Sequence, residues 1–463
     1  MKRQHNDTDS MASISTAPAI EQPDFSDHDR SLLTRIFFPA HTKTLVLDTD
    51  NLAVPDDSHC SNTVLISAGN PLPHEGHLCR AVGLIWFSDK SAYLPGYYRR
   101  RFDYINNPDG SIRWIYPTGS AKPLFLELYN GSGWRGFLFR TFFRTAWRLG
   151  LQKKARSGTF SLFVRAPLLL EELVQQTAAN GFAVFTGTPG ENRKAVFVLE
   201  NKGSEKWYYK LPLSTAARRL VRNEHHTLHK IARQDFEALQ IPEATLIRDG
   251  VLLSNIKPLR YSNSASLQEI HLKALAELGS RNVEHLPLQE LDAWEETEQN
   301  LKTAEQSVVC NDLPEPLVRG TIGLLRRLQH ELAAAGTVPV SLSHGDFTPW
   351  NMYLSAQKLH LYDWELSCRL PLLYDLFHFE FQSAILIRHQ SFPSIRKRIF
   401  QLENQEVIRG ILEKNKADFR LLYRFYLLRN TAYYLARYMQ QDPLHRQAHW
   451  LLKVWDAALR EEV

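Results

Sequence analysis

The 463-residue sequence predicts an α+β protein, strand-rich at the front and helical at the back. Two observations carry that reading. Short β-branched and aromatic runs separated by turn residues dominate up to about residue 255, and apolar residues at helical spacing dominate from about 265 to the end. One apolar strand-and-loop patch, 339–365, interrupts the helical part.

Composition excludes several classes. Hydrophobic residues make up 44%, aromatics 11% and charged residues 23%, close to soluble globular averages. The formal net charge of +5 is too small, over this length, to argue for nucleic-acid binding. Cys60, Cys79, Cys310 and Cys368 form no C-x-x-C pair, which argues against a zinc ribbon or a disulfide framework. The polar first residues lack the apolar stretch of a secretory signal, and no run approaches the ~20 apolar residues of a membrane span. A cytoplasmic location is expected, with peripheral membrane association as the variant.

Taken in order, residues 1–27 are rich in Ser, Thr, Asp and Pro and read as a disordered tail. Residues 28–157 read as a β-rich accessory domain with strands at KTLVLD, TVLISA, AVGLIWF and PLFLELY. The clearest local signal is a hairpin over 102–117, where aromatic and β-branched runs flank Asn107-Pro108-Asp109-Gly110. The domain closes on a basic aromatic helix. Residues 134–156 hold seven Arg or Lys and no acid, with Arg140, Arg144 and Arg148 in i, i+4 register. Such a helix is either a packed connector with a solvated arginine stripe or a contact with a membrane surface.

Residues 158–259 read as a small sheet lobe: a leading helix, APLLLEELVQQTAANG, strands FAVFTG, KAVFVLEN and KWYYKLPL, a charged helix from Thr215, and strands ATLIRD and VLLSNI. Residues 260–463 read as a helical lobe.

Chemistry concentrates between Val340 and Phe379. Asp346 follows an apolar strand, Asn351 comes five residues later, and Asp363 ends a second short strand. A turn around Ala356 brings Asn351 and Asp363 side by side, an amide oxygen and a carboxylate suited to Mg2+. Asp346 then stands free to orient a hydroxyl and accept its proton. His225, His226 and His229 have no carboxylate or cysteine at ligand spacing, so they are not read as a metal site.

The string H-G-D-x-x-x-x-N from His344, the strand ending in Asp363-Trp364-Glu365, and Pro371 and Asp375 in a P-x-x-x-D pattern resemble the catalytic core of the aminoglycoside phosphotransferase and choline kinase family. The resemblance covers roughly 180–463 and implies a bilobal protein-kinase-like fold, a small antiparallel sheet lobe plus a large helical lobe. It implies ATP and Mg2+ as cofactors, Asp346 as catalytic base, Asn351 and Asp363 as metal ligands, and His344 as an orienting residue. Upstream, Lys210 resembles the phosphate-binding lysine, Glu224 its ion-pair partner, and Asn255 falls in the adenine-binding connector. The Gly187-Thr188-Pro189-Gly190 turn takes the place of the phosphate loop, although it lacks G-x-G-x-x-G and Pro189 removes one N–H.

Thr348 stands where protein kinases usually carry lysine, Asp363-Trp364-Glu365 replaces D-F-G, and no A-P-E segment follows. The implied activity is therefore transfer of the γ-phosphoryl group to a hydroxyl of a small molecule, such as a sugar, amino sugar or amino alcohol. The rival readings are a catalytically degraded kinase fold serving as a scaffold and a membrane-associated kinase of a lipid-linked saccharide. The acidic run Leu291 to Glu296 is either a solvated helix surface or a binder of cationic substrates, and the oligomeric state is not legible.

Overall fold

The structure is a computed structural model that describes residues 27–38, 43–47, 63–68, 81–88, 90, 92–129, 133–165, 168–307, 313–441, 444 and 447–463. The expected tail, 1–27, lies almost wholly outside these residues, as do Cys60, Cys79 and Cys310. The chain divides into two compact units, Met1–Leu213 and Ser214–Val463.

The first unit is built on one twisted sheet. Its strands are β1 (Lys43–Leu47), β2 (Thr63–Ala68), β3 (Gly83–Phe87), β4 (Tyr98–Asn106), β5 (Ile112–Pro117), β6 (Gly158–Val164), β7 (Ala179–Phe185), β8 (Lys194–Asn201) and β9 (Lys206–Pro212). Their order is β1-β2-β3-β6-β4-β5-β7-β8-β9. The β1–β2 and β2–β3 pairs are parallel and the remaining pairs antiparallel. Strand β6, which the sequence reading does not anticipate, sits between β3 and β4, and β5 pairs with β7 through Trp114–Phe185 and Ile115–Val184. The accessory strands and β7 to β9 therefore share hydrogen bonds.

The expected hairpin forms between β4 and β5. Asn107 N–H donates to the Ser111 carbonyl at 2.8 Å, Gly110 N–H donates to the Asn107 carbonyl at 3.0 Å, and Gly110 takes the positive φ of +89° that glycine tolerates. The PLFLELY segment is not a strand: Leu124–Leu128 is a 3-10 helix after Pro123. Its consecutive Leu124, Phe125 and Leu126 are all buried, which a strand with one wet face does not allow. Phe125 packs against Trp114, Tyr116, Phe143 and Trp147 with ring centroids 5.1–5.7 Å apart. A short uninterrupted apolar run fits either element, and tertiary packing decides between them.

Helix α1 (Asp27–Phe37) contributes Phe37 to an aromatic cluster with Phe102 and Phe160. The basic aromatic segment forms α2 (Gly133–Arg148), which ends at Gly150 with φ +70°. Past it, Arg156 is tied to buried Asp103 at 2.8 Å. The leading helix of the next segment, α3 (Leu169–Thr177), stops at Ala178, whose left-handed φ of 50° turns the chain directly into β7.

The second unit opens with α4 (Thr215–Ile231), whose Ser214 side chain caps the helix by accepting from Ala217 N–H. A two-residue strand β10 (Leu239–Gln240) and the hairpin β11 (Ala244–Ile247)–β12 (Gly250–Ser254) follow. Then come α5 (Glu269–Gly279), β13 (Glu284–Pro287), α6 (Asp292–Gln306) and α7 (Glu315–Ala333). Next are β14 (Thr337–Ser343), β15 (Met352–Leu354), β16 (Leu359–Leu361) and β17 (Cys368–Pro371). Helices α8 (Tyr374–Gln382), α9 (Phe392–Leu402), α10 (Glu406–Asn415), α11 (Phe419–Tyr438) and α12 (Ala448–Glu462) complete it. Apart from the β11–β12 hairpin, its strands form two small sheets, β13-β14-β17 and β10-β16-β15. Helix α11 runs through the core, with Tyr423, Tyr426, Leu427, Leu428 and Leu435 fully buried. Among the described residues no helix is long and apolar enough to cross a membrane.

Candidate active site

The loop after β14 carries Asp346 and is held from below. Asp375, in the first turn of α8, accepts from His344 N–H at 2.7 Å through Oδ2 and from Gly345 N–H at 2.9 Å through Oδ1. Burial pushes the Asp375 carboxyl above its usual range, and His344 and these backbone donors pull it back. Gly345 has φ +82°, and a β-carbon there would lie 2.3 Å from the Leu366 carbonyl oxygen, so the turn requires glycine.

His344 is fully buried, and burial holds its imidazole below the usual pKa. Its Nδ1 lies 3.3 Å from Asp346 N and its Nε2 3.1 Å from the Tyr362 carbonyl oxygen. A neutral ring protonated on Nε2 satisfies both contacts, accepting at one end and donating at the other. This ties the Asp346 loop to the strand that leads to Asp363.

Asn351 follows a single 3-10 turn, Pro349–Asn351. Its Nδ2 donates to Asp346 Oδ2 at 2.8 Å and to the Asp346 carbonyl at 3.0 Å, which leaves its Oδ1 without a hydrogen bond from any described residue. The β15–β16 hairpin pairs Met352 with Leu361, and Tyr362 N–H donates to the Asn351 carbonyl at 3.0 Å. The hairpin thus brings the two chain segments that carry Asn351 and Asp363 together, as the turn around Ala356 requires.

Asp363 adopts the left-handed conformation, φ 68°, and starts the 3-10 turn Trp364–Leu366. Glu224 on α4 is completely buried and accepts from Trp364 N–H at 3.1 Å. Glu224, Asp363 and Glu365 each offer an oxygen within 4.8 Å of the others. Asn223, one residue before Glu224, donates to the carbonyls of Glu365 at 3.0 Å and Ser367 at 2.8 Å, clamping α4 onto this turn. A cluster of hard oxygen donors of this kind fits a divalent cation such as Mg2+ or Ca2+.

Sequence reasoning missed participants on α8 and α11. His378 is buried, and its Nε2 donates to Asp346 Oδ1 at 3.1 Å, so each oxygen of that carboxylate accepts one hydrogen bond and keeps further lone-pair capacity. The available signal was spacing: His378 follows Asp375 by three residues on α8, which places both on the face that meets the loop. Tyr374 stacks on the His378 ring at 6.1 Å and accepts from the buried Arg429 at 3.0 Å. Glu365, inside the Asp363-Trp364-Glu365 string, is a further carboxylate whose part in the cluster its sequence position does not signal.

From the acidic run, Glu296 on α6 is paired with Arg429 at 2.9 Å. Arg429 thus links that run to Tyr374 and, through its ring, to His378.

The remaining predicted residues lie apart in sequence or unit. Lys210 sits on β9 opposite Val196 of β8, in the first unit. Gly187 has φ +82°, and a β-carbon there would stand 2.1 Å from the Lys194 carbonyl oxygen, so this turn also requires glycine; Gly190 has φ +142° and open space around it. Asn255 directly follows β12 in the second unit and its Oδ1 accepts from Lys257 N–H at 3.2 Å.

The second unit of this mixed α/β chain carries a carboxylate on a strand-end loop, an amide donor five residues on and a carboxylate cluster after a hairpin. Residues 185–402 match the family model described as "Phosphotransferase enzyme family". No curated protein matches the chain. Solved structures similar to it include the amicoumacin kinase hAmiN in complex with AMP-PNP, Ca2+ and Ami, at 14% identity and TM-score 0.41, covering 59% of this chain and 87% of that one. The choline kinase LicA from Streptococcus pneumoniae is 12% identical, TM-score 0.41, covering 63% and 97%. A glucosamine kinase is 13% identical, TM-score 0.36, covering 62% and 94%.

Proposed function

We propose that this protein is an ATP-dependent phosphotransferase that moves the γ-phosphoryl group to a hydroxyl of a small molecule, with Asp346 as the base. The observation that carries the reading is the Asp346 carboxylate, fixed by Asn351 Nδ2 on one oxygen and His378 Nε2 on the other, inside the segment that matches the phosphotransferase family.

Asp346 orients the acceptor hydroxyl and takes its proton as the oxygen attacks phosphorus. Its two donors hold the carboxylate in one rotamer, so the hydroxyl meets an already positioned acceptor rather than a mobile side chain. His344 fixes the backbone beneath it and, with both ring nitrogens engaged, is not available to carry protons. Asn351 and Asp363 would hold Mg2+, with Glu365 and Glu224 as further oxygen donors beside Asp363. Bound there, the ion neutralises charge on the phosphate oxygens. The family pattern gives Lys210 the same task and gives Asn255 and the Gly187–Gly190 turn the nucleotide.

The test is coupled ADP release by the full chain with Mg2+ and ATP over a panel of sugars, amino sugars and amino alcohols. Acceptor-dependent release that requires Asp346 supports the reading. No release over the panel, together with no thermal stabilisation by millimolar Mg2+ and ATP, sinks it and favours the scaffold alternative.

A further inference from the structure

Helix α2 turns two apolar faces outward from its axis, and among the described residues one of them is packed. Phe139, Phe143, Ala146 and Trp147 pack against Trp114, Tyr116 and Phe125, and Trp147 Nε1–H donates to the Ser120 carbonyl at 3.0 Å. The opposite side carries Trp134, Leu138 and Phe142 at i, i+4 spacing, and these are 68%, 52% and 53% exposed. Phe137 and Leu149 are exposed to a similar degree, and Leu151 follows in the turn after the helix.

Charge along this segment has one sign. Between Trp134 and Arg156 there are seven basic residues and no acid. Arg140, Arg144 and Arg148 form an i, i+4 row alongside the exposed apolar row, and the exposed Lys153 and Lys154 extend it. Among the described residues none forms an ion pair with Arg144, Arg148, Lys153 or Lys154. Arg156 is different, being committed to Asp103.

We infer that this face of α2 docks on an anionic lipid bilayer surface, the helix lying in the interface with Trp134, Leu138, Phe142 and Leu149 among the acyl chains. The basic row sits at headgroup level and pairs with lipid phosphates. Two features select a bilayer over a protein groove. The exposed apolar row is aromatic-rich and flanked by Arg144, Arg148, Lys153 and Lys154, the composition of interfacial helices, and the lack of acids between 134 and 156 removes the repulsion an anionic surface otherwise meets. The opposite face anchors the helix to the sheet, so docking carries the whole first unit with it. The site is independent of the phosphoryl-transfer chemistry.

The experiment is sedimentation of the full-length chain with large vesicles of phosphatidylcholine alone or mixed with phosphatidylglycerol, at low and high salt. Wild type is expected to bind the anionic vesicles, weakly or not at all the zwitterionic ones, and to lose binding as salt rises. Neutralising three partnerless cations, Arg144→Gln, Arg148→Gln and Lys153→Gln, should weaken binding roughly hundredfold, at about fivefold per charge near an anionic surface. Trp134→Ser, Leu138→Ser and Phe142→Ser together should abolish it. Both variants alter exposed side chains only, so an unchanged melting transition is the control for folding. Failure of wild type to sediment with anionic vesicles at low salt overturns the inference, as does equal binding by both variants. Concentration-dependent dimerisation that the serine variant removes, without vesicle binding, also overturns it and gives the face to a second copy of the chain.

Discussion

Replacing Asp375 with alanine tests whether the loop under Asp346 is built as described. The change removes the acceptor for two buried donors, His344 N–H at 2.7 Å and Gly345 N–H at 2.9 Å. Each orphaned donor costs about 1–3 kcal/mol, giving roughly 2–6 kcal/mol in all. An opposing term reduces this. The Asp375 carboxyl is raised by burial, so its removal also relieves the cost of keeping a desolvated charge. The expected net loss is therefore toward the lower end, about 2–3 kcal/mol, or roughly 4–12 °C in melting temperature for a unit of this size. Asp375→Asn should fall between, because its amide oxygen still accepts from one donor while its NH2 faces the other. Thermal melting of the full chain reads the stability. Turnover reads the loop and should fall by more than tenfold, since a displaced Asp346 loses its alignment. An alanine variant with wild-type melting and wild-type turnover would refute the claim that Asp375 organises this loop.

Three further outcomes are expected. Asp363→Ala should abolish the thermal stabilisation that Mg2+ and ATP give together, whereas Glu365→Gln should weaken it in part; identical behaviour to wild type in both excludes this cluster as the cation site. His378→Ala should lower turnover roughly tenfold to hundredfold by removing a hydrogen bond to a charged carboxylate, with little change in nucleotide affinity; a variant with unchanged turnover removes His378 from the site. Stability should fall between pH 7 and pH 5, because burial lowers the His271 pKa to about 4 and the unfolded chain takes up a proton near 6.5 that the folded chain refuses. That residue alone contributes about 2 kcal/mol over this range, His344 acts in the same direction, and chemical denaturation at both pH values checks it; His271→Gln should flatten the dependence.

Legibility in the sequence followed the range of the interaction. The H-G-D-x-x-x-x-N string was readable because Asn351 reaches Asp346 within one turn, and the hairpin at Asn107–Gly110 because its residues set its own geometry. Leu124–Leu128 was misread as a strand because its helical form is decided by Phe125 packing beneath Phe143 and Trp147. The place of β6 between β3 and β4 was invisible, since nothing local in Gly158–Val164 names partners that precede it by some 60 or 75 residues. His378 went unread for the same reason, lying 32 residues from the carboxylate it contacts.

The most direct test of the central claim is Asp346→Asn assayed with Mg2+, ATP and the acceptor found in the panel. Asparagine keeps the size of the side chain and removes its basicity. Turnover should fall by about 10²–10⁴, the usual worth of a positioned base, while nucleotide affinity measured by thermal shift stays within a few-fold of wild type. Near-normal turnover in this variant, or loss of nucleotide binding in its place, would contradict the assignment of Asp346 as the base of a phosphotransferase.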